Sequence, residues 1–351
     1  MSLLRSSICR ACRRSSPLRV HRGFATASRP QTSSDSRVRI VEVGPRDGLQ
    51  NEKKAISLAT KIELIERLAK TGLTTIEAGS FVAPKWVPQM ANSSEIMEHI
   101  LQQKIEAPVP ITYSFLAPNT KGFQSAEKPA VEVAVFAAAT ESFSQKNLNC
   151  DIKTSLDRFK AVIQDSKALG LRVRAYISVV LGCPFEGFDV DPHKVAEIAT
   201  DLLESGADEI SLGDTTGMGT APRTSALLKC MSAAGIRTED IAMHFHDTYG
   251  QALVNTAVSL EHGIRTFDSS VGGLGGCPYS PGATGNVATE NMVYFMESLG
   301  METGVDLDAM ADIGAWITQE IGKPNDSSVG KAVLGARSRK GAEAAAAAEK
   351  A

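Results

Sequence analysis

Residues 39–52 read RIVEVGPRDGLQNE, and the way this stretch ends decides the fold. A β-branched apolar run, 39–44, stops at Gly44-Pro45-Arg46-Asp47-Gly48. A doubly wound open sheet would place a phosphate-gripping GxGxxG loop after its first strand. The chain offers an Arg–Asp pair there instead. Seven further apolar runs follow, at 74–78, 111–116, 131–137, 171–180, 209–212, 241–246 and 265–271. Helix-like stretches lie between them, among them 58–71, 154–169 and 193–205, with apolar residues at three- and four-residue spacing. Gly72, Gly170, Gly206 and Gly263 follow such patterns, as C-terminal stops do. Eight strand-then-helix units over roughly 260 residues predict an α/β fold, the (β/α)8 TIM barrel. The barrel is expected over 37–304. A helical extension over 305–336, with a final helix at 306–322, and an Ala/Lys/Glu-rich tail over 337–351 follow it.

The 351 residues carry a formal charge of −3 and only 5% aromatics. There is therefore neither a basic footprint for a phosphate backbone nor a base-stacking platform. No apolar run approaches the ~20 residues that cross a bilayer. The composition points away from a membrane span, a disordered chain, a disulfide scaffold and a nucleic-acid binder.

Residues 1–24, MSLLRSSICRACRRSSPLRVHRGF, hold six Arg, no Lys and no acid. An Arg-rich, Ser-rich, acid-poor start is the composition of a mitochondrial transit peptide. Arg22-Gly23-Phe24-Ala25 resembles the cleavage pattern of the matrix protease, so a cut near Phe24 and residence in the mitochondrial matrix are expected. A basic arm that stays attached is the alternative. Residues 25–36 are a polar lead-in. Cys9 and Cys12 form an accidental CxxC in the leader. Cys150, Cys183, Cys230 and Cys277 have no zinc-ribbon spacing and are expected as free thiols.

In a (β/α)8 barrel the chemistry gathers at the C-terminal strand ends. Arg46 and Asp47 follow strand one, and Glu77 ends strand two. Tyr176 and Ser178 lie on strand five, Asp214 and Thr215 end strand six, and His244 and His246 lie on strand seven. The strands otherwise read as apolar. Strand residues two apart share a face, so the two imidazoles point into one space. Two histidines that merely hydrogen-bond there are the plainer reading. With Asp47, and with Asn286 from the last loop, they make two imidazoles, a carboxylate and an amide oxygen. That mixed N/O set suits Mg2+ or Mn2+, with Zn2+ also compatible on ligand type. Arg46 is either a rim ion pair or a fixed positive fork for a developing oxyanion. Glu77 is either an orienting partner or a rim ion pair. Cys277 sits in the glycine-rich loop GGLGGCPYSPGATGN (272–286). Its thiol is either incidental or an acid/base group with a tuned pKa. No GxSxG elbow supports a serine hydrolase.

The strings VGPRDGLQNE (43–52), SFVAPKWVPQM (80–90), LGCPFEG (181–187), HFHDTYGQ (244–251) and SSVGGLGGCPYSPGATGNVATE (269–290) occur in this order. Together the stretch from about Arg39 to Gly304 resembles the 3-hydroxy-3-methylglutaryl-CoA lyases. RDGxQ with HxH marks the wider superfamily of metal-dependent Claisen and retro-Claisen barrels, and the Cys277 loop is the lyase-specific part. The resemblance implies metal-assisted cleavage of (S)-3-hydroxy-3-methylglutaryl-CoA to acetyl-CoA and acetoacetate, a step of leucine degradation and ketone-body formation. It makes Asp47, His244, His246 and Asn286 the ligands of Mg2+ or Mn2+. It makes Arg46 the stabiliser of the enolate oxygen and Cys277 the loop acid/base. His244 would assist proton transfer, and Glu77 and Asp214 would support the catalytic groups. Tyr176, Ser178, Thr215 and Glu290 would contact the acyl-CoA substrate. Such barrels commonly self-associate, so a homodimer is expected. The chain departs from the family pattern with Phe185 where Tyr is common and with Asn291 where animal enzymes carry Asp. Two other readings are a Claisen condensing enzyme of the isopropylmalate-synthase type and a non-catalytic acyl-CoA binder.

Overall fold

All eight apolar runs form strands: β1 (Arg39–Glu42), β2 (Thr75–Ser80), β3 (Thr112–Leu116), β4 (Val131–Ala138), β5 (Val173–Ser178), β6 (Glu209–Asp214), β7 (Ile241–Phe245) and β8 (Thr266–Ser269). They pair in parallel in chain order and close into a barrel. Val41 lies opposite Thr75 on one side of β1, and Arg39 opposite Thr266 on the other. The computed structural model describes residues 36–103, 105–126, 131–276 and 284–349. The expected leader 1–24, residues 25–35 of the lead-in, and Cys277 lie outside the described residues.

β1 and β8 end two residues before their sequence runs do, for local reasons. Pro45 has no N–H to give a ladder, and the Gly44 N–H folds back onto Glu42 Oε1 at 2.8 Å. The chain then makes one wide turn, Gly44–Gly48, in π-helical geometry. After β8 the Ser270 N–H leaves the barrel ladder for the Val287 carbonyl at 3.0 Å.

The connecting helices start at side-chain caps and bury one stripe. In Leu58–Ala69 the Ser57 hydroxyl accepts the Thr60 N–H at 3.0 Å, and Leu64, Ile65 and Leu68 are buried. Asp151 and Asp191 cap Ile152–Ala168 and Pro192–Glu204 in the same way. Gly72, at φ +92°, closes the first of these, and a Cβ there would stand 2.1 Å from the Gly304 carbonyl. The main apolar core fills the space between these helices and the outer barrel face.

The inner face is different. Along β5 the outward Val173, Ala175 and Ile177 belong to the core. The alternate positions are Arg174, Tyr176 and Ser178. Glu77, Glu132, Glu209 and Asp268 are likewise buried charges on strands. The expectation of otherwise apolar strands is therefore corrected: the barrel interior is charged. Buried charges are tolerated only in pairs, and these are paired. Arg174 meets Asp268 at 2.5 Å and Glu209 at 3.4 Å. Glu209 also meets Arg39 and, at 3.0 Å, Arg172.

The last helices pack on the same unit. Leu307–Ile321 matches the expected final helix, closed by Gly322 at φ +73°. Ser328–Ala348 runs without a break across the expected boundary at 336/337. Its last turns, 342–348, are Ala-rich, the strongest helix-forming composition. Among the described residues no helix is long and apolar enough to cross a membrane.

Candidate active site

The wide turn after β1 and the end of β7 bring Asp47, His244 and His246 together. One ligand-type atom of each lies within 4.8 Å of the others. His244 and His246 are buried. Every carboxylate oxygen of Asp47 is engaged. Oδ1 accepts from Arg46 at 2.6 Å and from Gln50 Nε2 at 2.6 Å, and Oδ2 accepts from Asn286 Nδ2 at 2.8 Å. Burial pushes the Asp47 carboxyl up. Arg46, His244 and His246 outweigh that and bring it down to about 2. Burial and the neighbouring His244 lower His246 to about 3. Burial opposes a proton on His244, but its hydrogen bond and charge interaction with Asp268 leave it raised. His246 Nδ1 is buried with no hydrogen-bond partner.

These residues fit a divalent cation. Two imidazoles and a low-pKa carboxylate are a hard, mixed N/O donor set. An orphaned buried ring nitrogen is the kind of atom that a bound ion satisfies. Asn286 meets the set differently from expectation. Its amide nitrogen donates to Asp47 Oδ2 and to the Leu274 carbonyl at 3.3 Å. In this arrangement its amide nitrogen braces Asp47.

Arg46 stands beside the cluster and is buried. It bridges Asp47 at 2.6 Å and Glu77 Oε2 at 2.7 Å. The Tyr176 hydroxyl donates to the same Glu77 oxygen at 3.1 Å, and the Arg46 guanidinium carbon lies 5.4 Å from the Tyr176 ring centroid. Burial acts against the Arg46 charge, but Glu77 and Asp47 more than offset it. Glu77 therefore acts as the orienting partner of Arg46, deep under the cavity floor, and not as a rim ion pair.

A cavity of about 740 Å3 opens above. Arg46, Asp47, Tyr176, Ser178, Thr215, His244 and His246 line it, as do Gln50 and Gly276. Phe136 and Leu116 add an apolar wall, packed with Val82 and Ala134. Thr215 has a structural duty here. Its Oγ1 accepts the Val179 N–H at 3.0 Å. Val179 sits at φ +58°, a conformation a β-branched residue adopts only under strain.

Two expected site residues are elsewhere. Asp214 is in register with Ile210 and Leu212, which face the helices. Its Oδ2 accepts the Gly219 N–H at 2.9 Å outside the cavity lining, and burial pushes its carboxyl up to about 7. The period of two along β6 was the signal that places it there. Glu290 lies behind the glycine loop. Both of its oxygens accept the Gly272 N–H, at 3.1 and 3.0 Å, so it roots the loop and does not line the cavity. Sequence reasoning missed Gln50 and the buried pair Arg174–Asp268. The latter was legible as charge on an inward-facing strand position.

A family model described as HMGL-like matches residues 37–317. The chain belongs to that family. A Pseudomonas aeruginosa protein named 3-hydroxy-3-isohexenylglutaryl-CoA/hydroxy-methylglutaryl-CoA lyase is 54% identical over 299 residues, 85% of this chain and 97% of that protein. The mitochondrial hydroxymethylglutaryl-CoA lyase of Bos taurus is 48% identical over 315 residues, 88% of this chain and 95% of that one. The crystal structure of hydroxymethylglutaryl-CoA lyase from Pseudomonas aeruginosa superposes with a TM-score of 0.81 at 53% identity, covering 86% of this chain and 98% of that one. Within the HMGL-like family the Asp47–His244–His246 set and Arg46 therefore lie in a barrel of closely shared shape.

Proposed function

We propose that this chain is a hydroxymethylglutaryl-CoA lyase that cleaves 3-hydroxy-3-methylglutaryl-CoA to acetyl-CoA and acetoacetate. The observation that carries the reading is the Asp47–His244–His246 cluster beside the buried Arg46 in one cavity. Asp47, His244 and His246 would hold one divalent cation, Mg2+ or Mn2+. Such an ion acidifies a hydroxyl bound beside it and takes up negative charge on oxygen.

The rest falls to the chain itself. The C3 hydroxyl, acidified beside the cation, would release its proton to water in the cavity; His244, with Nδ1 held by Asp268, would assist by holding the cation and not as the base. The C2–C3 bond breaks, C3 becomes the ketone of acetoacetate, and the bonding electrons pass into the thioester enolate. Arg46 is the fixed cation for that enolate oxygen. Its orientation is set in advance by Asp47 and Glu77, so little reorganisation is needed as charge develops. Cys277 is assigned the last step, protonation of the enolate carbon, on its loop motif alone. Tyr176 and Ser178 line the space where the acyl group would sit.

A second substrate is favoured by a specific pair of observations. The P. aeruginosa relative is named for an isohexenyl substrate as well, and the cavity has an apolar wall of Leu116, Phe136 and Val82. A longer branch at C3 is therefore part of the proposal.

The test uses purified protein stripped with EDTA and resupplied with Mg2+ or Mn2+. Metal-dependent acetoacetate from 3-hydroxy-3-methylglutaryl-CoA is the expected result. Folded, metal-loaded protein that forms none would overturn the lyase reading. Condensation of acetyl-CoA with a 2-keto acid in a parallel assay would replace it with a synthase. We also propose residence in the mitochondrial matrix and a homodimer. The Arg-rich segment 1–24 supports the first, and organelle fractionation tests it. Light scattering tests the second.

A further inference from the structure

His244 has two ring nitrogens, and its neighbours treat them differently. Nδ1 lies 3.1 Å from Asp268 Oδ2, and Nε2 lies 3.9 Å from Asp47 Oδ2. A carboxylate only accepts, so a neutral imidazole beside Asp268 carries its proton on Nδ1. The Nε2 lone pair is then left on the Asp47 side.

Asp268 is itself held. The Ser211 hydroxyl donates to Oδ2 at 2.9 Å, and Arg174 donates to Oδ1 at 2.5 Å. Neither Asp268 nor Arg174 lines the cavity. Arg174 serves a second arm as well. Its guanidinium carbon lies 5.1 Å from the Tyr176 ring centroid. The Tyr176 hydroxyl donates to Glu77, Glu77 holds Arg46, and Arg46 holds Asp47. Two buried arms leave one guanidinium. One ends at His244 and the other at Asp47.

Stability is a poor reason for this arrangement. A well-packed apolar replacement of a buried ion pair is often neutral or stabilising, and both residues are 1% exposed. A geometric purpose explains it better. We propose that Asp268 is a positioning residue for cation binding, fixing the tautomer and ring plane of His244, and that Arg174, by holding Asp268 and Tyr176 together, sets the separation of His244 from Asp47. The inference rests on reading Asp47, His244 and His246 as the cation-holding set.

The experiment is a Mn2+ titration of EDTA-stripped full-length protein, following the loss of the free Mn2+ electron paramagnetic resonance signal. No substrate is present. Asp268→Asn should weaken Mn2+ binding by about 10- to 100-fold, the usual effect of losing a partner of a metal-binding histidine. Arg174→Met should weaken it in the same direction. Binding within threefold of wild type in a folded Asp268→Asn protein overturns the proposal. A second measurement needs no variant and so survives a folding failure. The 1H–15N spectrum of 15N-histidine-labelled, Mg2+-loaded wild-type protein should place the His244 proton on Nδ1, and a proton on Nε2 overturns the proposal. A wild-type protein that binds Mn2+ but makes no acetoacetate would sink the lyase reading and leave this inference standing. Unchanged affinity in Asp268→Asn would do the opposite.

Discussion

Glu42 Oε1 accepts the backbone N–H of Val271 at 2.9 Å across 229 residues of chain. The same oxygen accepts the Gly44 N–H at 2.8 Å, and Oε2 accepts the Thr289 hydroxyl at 2.6 Å. One buried carboxylate thus joins the turn that carries Arg46 and Asp47 to the root of the glycine loop and to the helix behind it. Reach matters more than charge for this job. Glu42→Gln keeps a carbonyl acceptor at the right distance and should lose under ~1 kcal/mol. Glu42→Asp is one methylene short and strands two buried N–H groups, at about 1–3 kcal/mol each. Denaturant midpoints of the two variants check this, and an Asp variant as stable as the Gln variant would refute it.

The pH dependence of stability follows from the same buried acids. Burial pushes Glu42 up to about 7, Asp214 to about 7 and Glu290 to about 8. The folded state holds protons that the unfolded chain has already released. The stability from each acid is complete below the unfolded carboxylate range and is lost as pH rises through its folded value. His246, lowered to about 3, acts the other way, but only below the unfolded histidine range near 6.5. Between about pH 6.5 and 8.5 the acids alone govern, and His244, raised, acts in their direction. The melting temperature of metal-free protein should therefore fall across that window. Glu290→Gln, which keeps an acceptor for Gly272, should flatten the slope. A melting temperature that rises with pH there would contradict the assignment.

The barrel was legible because its signal is repeated. Eight apolar runs with helical spacing between them tolerate an error of two residues at any one end, as at β1 and β8. The HxH pair was legible because strand alternation forces both rings to one face. Asp214 ends β6 as expected, and its phase with Ile210 and Leu212 takes its carboxylate out of the cavity lining. The place of Glu290 was not legible, because only the folded chain brings the Gly272 N–H onto its carboxylate. Arg174 and Asp268 each read as a charge at an inward-facing strand position, but they lie 94 residues apart and only the closed barrel pairs them.

Arg46 should be intolerant of conservative change. Its fork meets two different carboxylates, at 2.6 and 2.7 Å, and a lysine ammonium cannot reproduce that planar bridge. Under the lyase reading Arg46→Lys removes the oriented donor at the enolate oxygen. By comparison with other preorganised donors kcat should drop about 10^2- to 10^3-fold. Mn2+ affinity, which Arg46 reaches only through Asp47, should fall by a smaller factor. Steady-state kinetics beside a Mn2+ titration separates the two, and a loss confined to metal affinity would remove Arg46 from the chemistry.

Thr215 should matter through Val179. Its hydroxyl oxygen holds the N–H of a β-branched residue at φ +58°, a conformation that costs on the order of 1–3 kcal/mol. Thr215→Val keeps the shape and deletes the acceptor, so the strained turn after Ser178 should relax. Val179→Gly should relieve the strain while Thr215 is kept. The expected pattern is a stability loss of about 1–2 kcal/mol for Thr215→Val, smaller in the Val179→Gly background. Equal losses in both backgrounds would show that Thr215 does not brace Val179.

Gly314 gives the sharpest packing test. It lies inside the helix Leu307–Ile321, where alanine is normally better by about 1 kcal/mol. A Cβ there would stand 2.1 Å from Glu290 Oε1 and 3.3 Å from Gly272 Cα. Glu290 cannot swing aside, because it is fully buried and both oxygens hold the Gly272 N–H. Overpacking of this kind costs about 1–3 kcal/mol, so Gly314→Ala should destabilise the protein despite the gain in helix propensity. In a Glu290→Ala background the clash is gone and the propensity gain remains. The same Gly314→Ala change should then be neutral or stabilising, a reversal of sign that a double-mutant cycle reads directly. A loss of the same size in both backgrounds would place the clash at Gly272 and not at Glu290.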